Sequence, residues 1–408
     1  LPGEDYDLFY VYTFTGGAKA IAHTQKLQFL IILSAMAIAG YLVVADLPGG
    51  MGFNDALYVA GQSGKLNVIT TDFDWKDKYN IWSGVIGGFF LALSYFGTDN
   101  SQVGRYISAK DTTESRLGLL FNGLVKVPMQ FAILLIGALL FAFYSFYQAP
   151  LSFNESALDK LKVKQPTAVA TVQHDYNTLH KTYERQALQL AQQKENNSRA
   201  EIDAFLLTQE KLNRLRDSAQ RMISRHVSTN DANDTNYIFL HFVKNSLPVG
   251  LVGLLFAVIF LASWGSISAA LNSLAASSLM DVQLLAHKIP PSEEKQLWLG
   301  RMHTLVWGVF CIGTAMFASR MGSLIEAVNI LGSLFYGTIL GIFLVAFYVK
   351  KVKGDVVFVA AIITEVFVVG IYLMDIVSFL WLNAIGALLL VLICLGATAM
   401  TSRKGIQN

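Results

Sequence analysis

From residue 245 to residue 280 the chain contains no Asp, Glu, Lys or Arg, and a stretch of that length leaves few folds open. A helix needs about 20 mostly apolar residues to cross the roughly 30 Å hydrocarbon core of a bilayer. Backbone inside lipid must satisfy its own hydrogen bonds, which restricts spanning structure to helices and closed barrels. Runs this long select helices. Further charge-free runs cover 27–45, 79–98, 127–154, 302–319, 327–349 and 376–402, and 356–374 is interrupted only by Glu365. The sequence therefore predicts an all-α membrane protein with eight spanning helices. Composition agrees, since 15% of the 408 residues are charged, against about 25% in ordinary soluble domains.

A formal charge of +2 says little about partners, and no nucleic-acid partner is expected. The informative feature is where Lys and Arg sit relative to the spans. One set of alternate loops collects Lys19, Lys26, Arg105, Lys110, Arg116, Lys288, Lys295, Arg301, Lys350, Lys351, Lys353, Arg403 and Lys404. The opposite short loops hold only Lys65, Lys76, Lys78 and Arg320. Both ends are therefore expected on the cytoplasmic side of a plasma membrane, a bacterial inner membrane in the first instance, with lipid as the surrounding partner. The chain starts at Leu1 with no signal peptide before the first span, so it reads as incomplete at its start.

Three segments follow: spans one to three in 1–147, a soluble block in 148–244, and spans four to eight in 245–408. Residues 171–223 are rich in Gln, Lys, Glu, Ala and Leu and lack Gly and Pro, which predicts helix. A turn at 194–198 would fold the block into a helical hairpin outside the membrane. Such a hairpin is either an extracytoplasmic partner-binding element or a tolerated insertion. Both cysteines, Cys311 and Cys394, lie in apolar runs, leaving no disulfide framework. No G-x-x-x-x-G-K-[ST] loop, G-x-G-x-x-G after a strand or H-E-x-x-H pair occurs, so neither nucleotide nor metal-enzyme chemistry is expected. With no nucleophile–base pair on any span, the chain does not read as an enzyme.

Four features within the apolar runs stand out. ASWGSISAALNS, 262–273, stacks hydroxyls and small residues along one helix. Small residues let helices pack closely, while oxygens gathered at one depth also suit Na⁺, and both readings stay open. Lys126 lies ten residues beyond Arg116, about 15 Å along a helix, half-way through the hydrocarbon. At that depth it is expected to face a polar interior, with Glu365 as a potential partner, since an intramembrane ionisable group is a functional hypothesis by default. SYFGTDNSQVGR, 94–105, follows a charge-free run with Asp99, two amides and an arginine. A helix broken near Gly97 fits that pattern, because open backbone at membrane depth occurs where it lines a cavity.

The ordered motifs YTFTGGAKAIAHTQKLQ, SYFGTDNSQVGRYISAKD, LLFNGLVK, GSISAALNSLAASSLMD and GSLFYGTILGIF together resemble the solute:sodium symporter family, closest to its iodide, monocarboxylate and multivitamin branch and bacterial relatives. The resemblance implies part of a fold of two five-helix repeats of opposite topology, with the five helices before the first motif absent. It implies Na⁺ as the co-transported ion, no organic cofactor, and a small-molecule substrate. Carried over by motif, Ala262 offers a carbonyl and Ser266 a hydroxyl to sodium, and Gly265 stands where relatives place a second hydroxyl. Gln25 replaces an aspartate that some relatives use for a further sodium site. Tyr95, Lys126 and Asn329 would meet the substrate, while Ala92 replaces the amide of sugar-carrying relatives. The implied activity is sodium-coupled import by alternating access; the alternative is a transporter-like sensor or scaffold that has lost coupling.

Overall fold

The computed structural model describes residues 26–67, 69–107, 111–194, 196–229, 231–284, 292–318, 324–349 and 352–404. Gln25, Arg320 and both chain ends lie outside the described residues. Among the described residues the α-helices are, in order, α1 Lys26–Ala45, α2 Phe53–Gln62, α3 Gly88–Thr98, α4 Asn100–Ile107, α5 Thr112–Phe146, α6 Glu155–Lys164, α7 Pro166–Gln192, α8 Arg199–His226, α9 Ile238–Ser246, α10 Val249–Ser277, α11 Glu293–Ala318, α12 Leu324–Tyr348, α13 Gly354–Leu373 and α14 Phe379–Lys404. Among the described residues no strand forms, and Thr70 and Asn80 make an isolated bridge.

Among the described residues six segments are long and apolar enough to cross a membrane, by length and composition: Lys26–Ala45, Thr112–Phe146, Val249–Asp281, Glu326–Tyr348, Gly354–Leu373 and Phe379–Thr398. Of the two other expected spans, one is the shorter apolar helix Ser83–Thr98, because residues 69–80 form a loop and the helix stops at Asp99. The other is the apolar part of α11. Chain contacts divide the protein into two compact units, residues up to 66 with 127–304, and 67–126 with 305–408.

In the first unit α1, α2, the end of α5 and helices α6–α9 share one core, with Val43, Val59, Phe146, Phe205 and Phe242 almost fully buried. Each such side chain contributes about 1.5–3 kcal/mol. Local signals set the helix ends. Asn154 caps α6 by accepting the Ala157 amide at 3.2 Å, and Gln165 ends α6 so that Pro166 can open α7 at a first-turn position that needs no N–H. Ser198 and Glu201 form a reciprocal capping box at the start of α8. The expected hairpin is thus α7 and α8, longer than 171–223 at both ends, with Tyr183 stacked on Phe205 at 4.8 Å between ring centres. Its tip is tied to α2: the Tyr58 hydroxyl donates to the Lys194 carbonyl at 3.1 Å, the Asn197 amide donates to the Tyr58 oxygen at 3.2 Å, and Lys194 pairs with Asp55.

In the second unit α12 and α14 cross at close range. A Cβ on Gly337 would stand 2.6 Å from the Asn383 carbonyl oxygen, so the crossing needs glycine. The buried Asn383 amide donates to Ser333 Oγ at 2.8 Å across the same interface. Gly87, in the π-helical turn Ser83–Gly87 that leads into α3, approaches the Leu380 carbonyl just as closely. The 69–80 loop is fastened by Asn80, whose amide donates to the Asp74 and Asp77 carbonyls while its oxygen accepts the Ser83 amide. Trp75 packs on Trp381 at 4.8 Å, and Lys78 pairs with Glu326 at the start of α12.

Candidate functional site

Within the second unit the chain breaks between α3 and α4 at Asp99, whose ψ of 113° leaves the helical region. Gly97 stays helical, so the break falls two residues beyond the expected position. Side chains take over the backbone groups exposed there. The Thr98 hydroxyl donates to the Ser94 carbonyl at 2.9 Å, and the Ser94 hydroxyl donates to the Tyr336 carbonyl on α12 at 2.7 Å. The Asp99 carbonyl accepts the Gln102 and Val103 amides and starts α4. Its carboxylate accepts the Tyr336 hydroxyl at 3.3 Å.

Beside the break lies a cavity of about 450 Å³ between α3, α5 and α12, within the 300–1,000 Å³ of typical small-molecule sites. Tyr95, Lys126 and Asn329 all line it, together with Phe96, Gly332 and Tyr336. Lys126 Nζ stands 5.3 Å from the Tyr95 ring centre and 5.4 Å from that of Phe96, a cation–π arrangement that orients the ammonium without neutralising it. Among the described residues no carboxylate lies within 4 Å of it. Glu365, the expected potential partner, instead has the Thr338 hydroxyl beside its carboxyl. Sequence periodicity shows that a carboxylate sits in a span, but not which neighbouring helix it meets. Tyr95 and Tyr336 lie 6.4 Å apart between ring centres. The site thus offers one cation, two phenols and one amide, a set that can hold an anionic or hydroxylated solute. Tyr336 is a lining residue that the sequence does not single out; it lies in the GSLFYGTILGIF motif, but nothing there marks its hydroxyl as reaching Asp99 at the break.

The residues expected at sodium lie in the first unit on α10. Ala262 is half-buried, and Gly265 and Ser266 are exposed within this chain. Spacings of three and four put Gly265 and Ser266 on the same side of the helix as Ala262. The Ser263 hydroxyl is used by the Ile259 carbonyl at 2.8 Å, whereas among the described residues that of Ser266 forms no hydrogen bond. No atom lies within 4 Å of a Cβ built on Gly265. No group of three or more His, Cys, Asp or Glu side chains gathers among the described residues.

The profile of the sodium:solute symporter family matches residues 218–364. The sodium-dependent multivitamin transporter of Oryctolagus cuniculus is 26% identical over 82% of this chain and 40% of its own length. The sodium/sialic acid symporter NanT of Aliivibrio fischeri is 24% identical over 94% of this chain and 60% of its own. The matches thus make the chain similar to members of the sodium:solute symporter family. Sodium-coupled monocarboxylate transporter 1 of Mus musculus matches at 24% identity over 81% of the chain and 41% of its own length. The chain thus spans between about two fifths and three fifths of these relatives. A Na⁺-coupled sialic acid symporter, solved in a substrate-bound outward-open state, superposes with a TM-score of 0.61 at 18% identity, covering 96% of this chain and 64% of that one. That likeness shows the fold, a helical inverted-repeat architecture. The family consists of transporters rather than enzymes.

Proposed function

We propose that this chain acts in sodium-coupled symport, importing a small organic solute or anion by alternating access. One observation carries the reading: Tyr95, Lys126 and Asn329, far apart in sequence, line one cavity beside a broken helix. Lys126 supplies the charge that meets an anionic group, Asn329 and the tyrosines orient it, and Phe96 excludes water from one side. Relatives named for sialic acid and monocarboxylates carry acids, which fits an uncompensated lysine and favours a carboxylate as cargo. Sodium would bind α10 through the Ala262 carbonyl and the Ser266 hydroxyl, with water in the space that Gly265 leaves.

Coupling needs differential affinity, because an ion shifts a conformational equilibrium only by the amount it prefers one state. One charge moving through the membrane adds about 2.3 kcal/mol per 100 mV, or roughly 40-fold accumulation at 1.4 kcal/mol per tenfold. In this reading the protein lies in a plasma membrane, in bacteria the inner one, with both ends of the chain cytoplasmic. The 148–244 block then faces the outside between the spans of 1–147 and 245–408 and is available to an extracytoplasmic partner.

The test is equilibrium binding of labelled carboxylates, sugars and vitamins to the purified full-length protein in Na⁺ and in choline. Sodium-dependent binding of a carboxylate, lost in Lys126→Ala, supports the proposal. Binding indifferent to sodium contradicts it.

A further inference from the structure

One residue of α12, Tyr336, is held from both sides of the break. From the α3 side the buried Ser94 hydroxyl donates to the Tyr336 carbonyl at 2.7 Å. On the α4 side the Tyr336 hydroxyl donates to the Asp99 carboxylate at 3.3 Å. The two fastenings differ in grip. The first has an ordinary O–H···O length, while the second exceeds the usual range of about 2.5–3.0 Å. A further link from α4, the Asn122 amide on α5 donating to the Tyr106 oxygen, is also long at 3.4 Å. The end of α3 is therefore clamped to α12, while α4 follows Asp99, whose ψ of 113° leaves the helix. Single residues of that kind absorb the rotation of a hinge.

Tyr336 also lines the cavity beside the break. Its ring lies 6.4 Å from that of Tyr95, between centres. Gly332, one turn earlier on α12 and also at the wall, makes room for the ring, since a Cβ there would stand 3.2 Å from Tyr336 Cε2. The ring is thus placed where cargo reaches it and the hydroxyl where Asp99 reaches it. Long hydrogen bonds beside a binding site commonly tighten once a ligand fixes their partners. Cargo packed on the ring would shorten the Tyr336–Asp99 bond and draw α4 toward α12, and it shifts α4 by as much as it prefers that setting.

We infer that Asp99 is a positioning residue for transport, which through the Tyr336 hydroxyl ties the setting of α4 to cargo in the Lys126 cavity; this rests on the function proposed above. The experiment is hydrogen exchange by mass spectrometry on the full-length protein in lipid nanodiscs with Na⁺. Acetate, lactate and sialic acid are the probes, with binding measured in parallel and each protein compared without probe and at saturation. A bound carboxylate is expected to slow exchange of amides 100–107 at least fivefold. Tyr336→Phe keeps the ring and should lose that slowing, while its exchange without probe changes less than twofold. Asp99→Asn keeps an oxygen that accepts the Tyr336 hydroxyl and should retain the slowing. Slowing that survives in Tyr336→Phe, or that is lost in Asp99→Asn, overturns the inference and leaves the transport reading standing. The same holds if Tyr336→Phe already exchanges faster without probe, which makes the hydroxyl a static brace, or if it no longer binds, which makes the hydroxyl a cargo contact. Failure of all three carboxylates to bind the unaltered protein overturns the inference together with the reading it rests on.

Discussion

Asp234→Ala should open the soluble block locally, and its cost can be worked from the contacts. The Asp234 side chain is 3% exposed, and its Oδ2 accepts Arg216 Nη2 and the Phe153 amide, each at 2.8 Å. Its Oδ1 accepts Gln220 Nε2 at 3.1 Å. Removing one partner of a buried ion pair costs about 3–5 kcal/mol, because the surviving charge stays buried. Arg216 is 19% exposed and keeps the Phe153 ring at 4.8 Å, so the lower end applies, about 3 kcal/mol. At 1.4 kcal/mol per tenfold, amides of α6 and α8 should exchange roughly 100-fold faster by mass spectrometry of the protein in nanodiscs. Asp234→Asn keeps an accepting oxygen and should cost about half as much. A change below threefold in the alanine variant would refute the reasoning, since it would mean that Arg216 finds water or another partner without penalty.

Lys126→Ala should weaken an anionic substrate about 10–100-fold, the loss of one charge-assisted hydrogen bond of about 1.5–3 kcal/mol, with little effect on a neutral one. Ser266→Ala should raise the sodium concentration for half-maximal binding, whereas Ser263→Ala should leave it alone because that hydroxyl already serves Ile259; equal effects would count against the assignment. Gly337→Val drives a Cβ against the Asn383 carbonyl and should cost about 1–3 kcal/mol, seen as a lower Tm, while Gly370→Ala, with nothing within 4 Å, should not. Burial works against the Asp55 charge, but the Gly52 amide and Lys194 outweigh it and hold the carboxyl below its ordinary 3.8. Its stabilisation is thus complete above that value and is lost as pH falls through the lower folded one. The pair is partly exposed, so the effect on exchange at 193–198 should be under about 1 kcal/mol, and loss of protection already between pH 7 and 5 would contradict it.

The spans were legible because charge is costly in lipid, so uncharged runs mark them directly. The hairpin was legible from a long run without Gly or Pro. Tyr95, Lys126 and Asn329 could be named from motifs, yet their meeting in one cavity depends on how α3, α5 and α12 pack. The break moved from Gly97 to Asp99 because glycine only permits a kink, while Ser94, Thr98 and Asp99 satisfy the backbone where it opens. Glu365, a potential partner of Lys126, has Thr338 beside it instead, because which side chains face each other across helices is not encoded in a helical period.

The central claim is sodium-coupled uptake through the Lys126 cavity, and the direct test is accumulation of a labelled carboxylate by proteoliposomes holding the full-length protein, with and without an inward Na⁺ gradient. The account predicts accumulation that requires the gradient, grows with an inside-negative potential and is lost in Lys126→Ala. Uptake that ignores the gradient, or that survives in a folded Lys126→Ala variant, would contradict it.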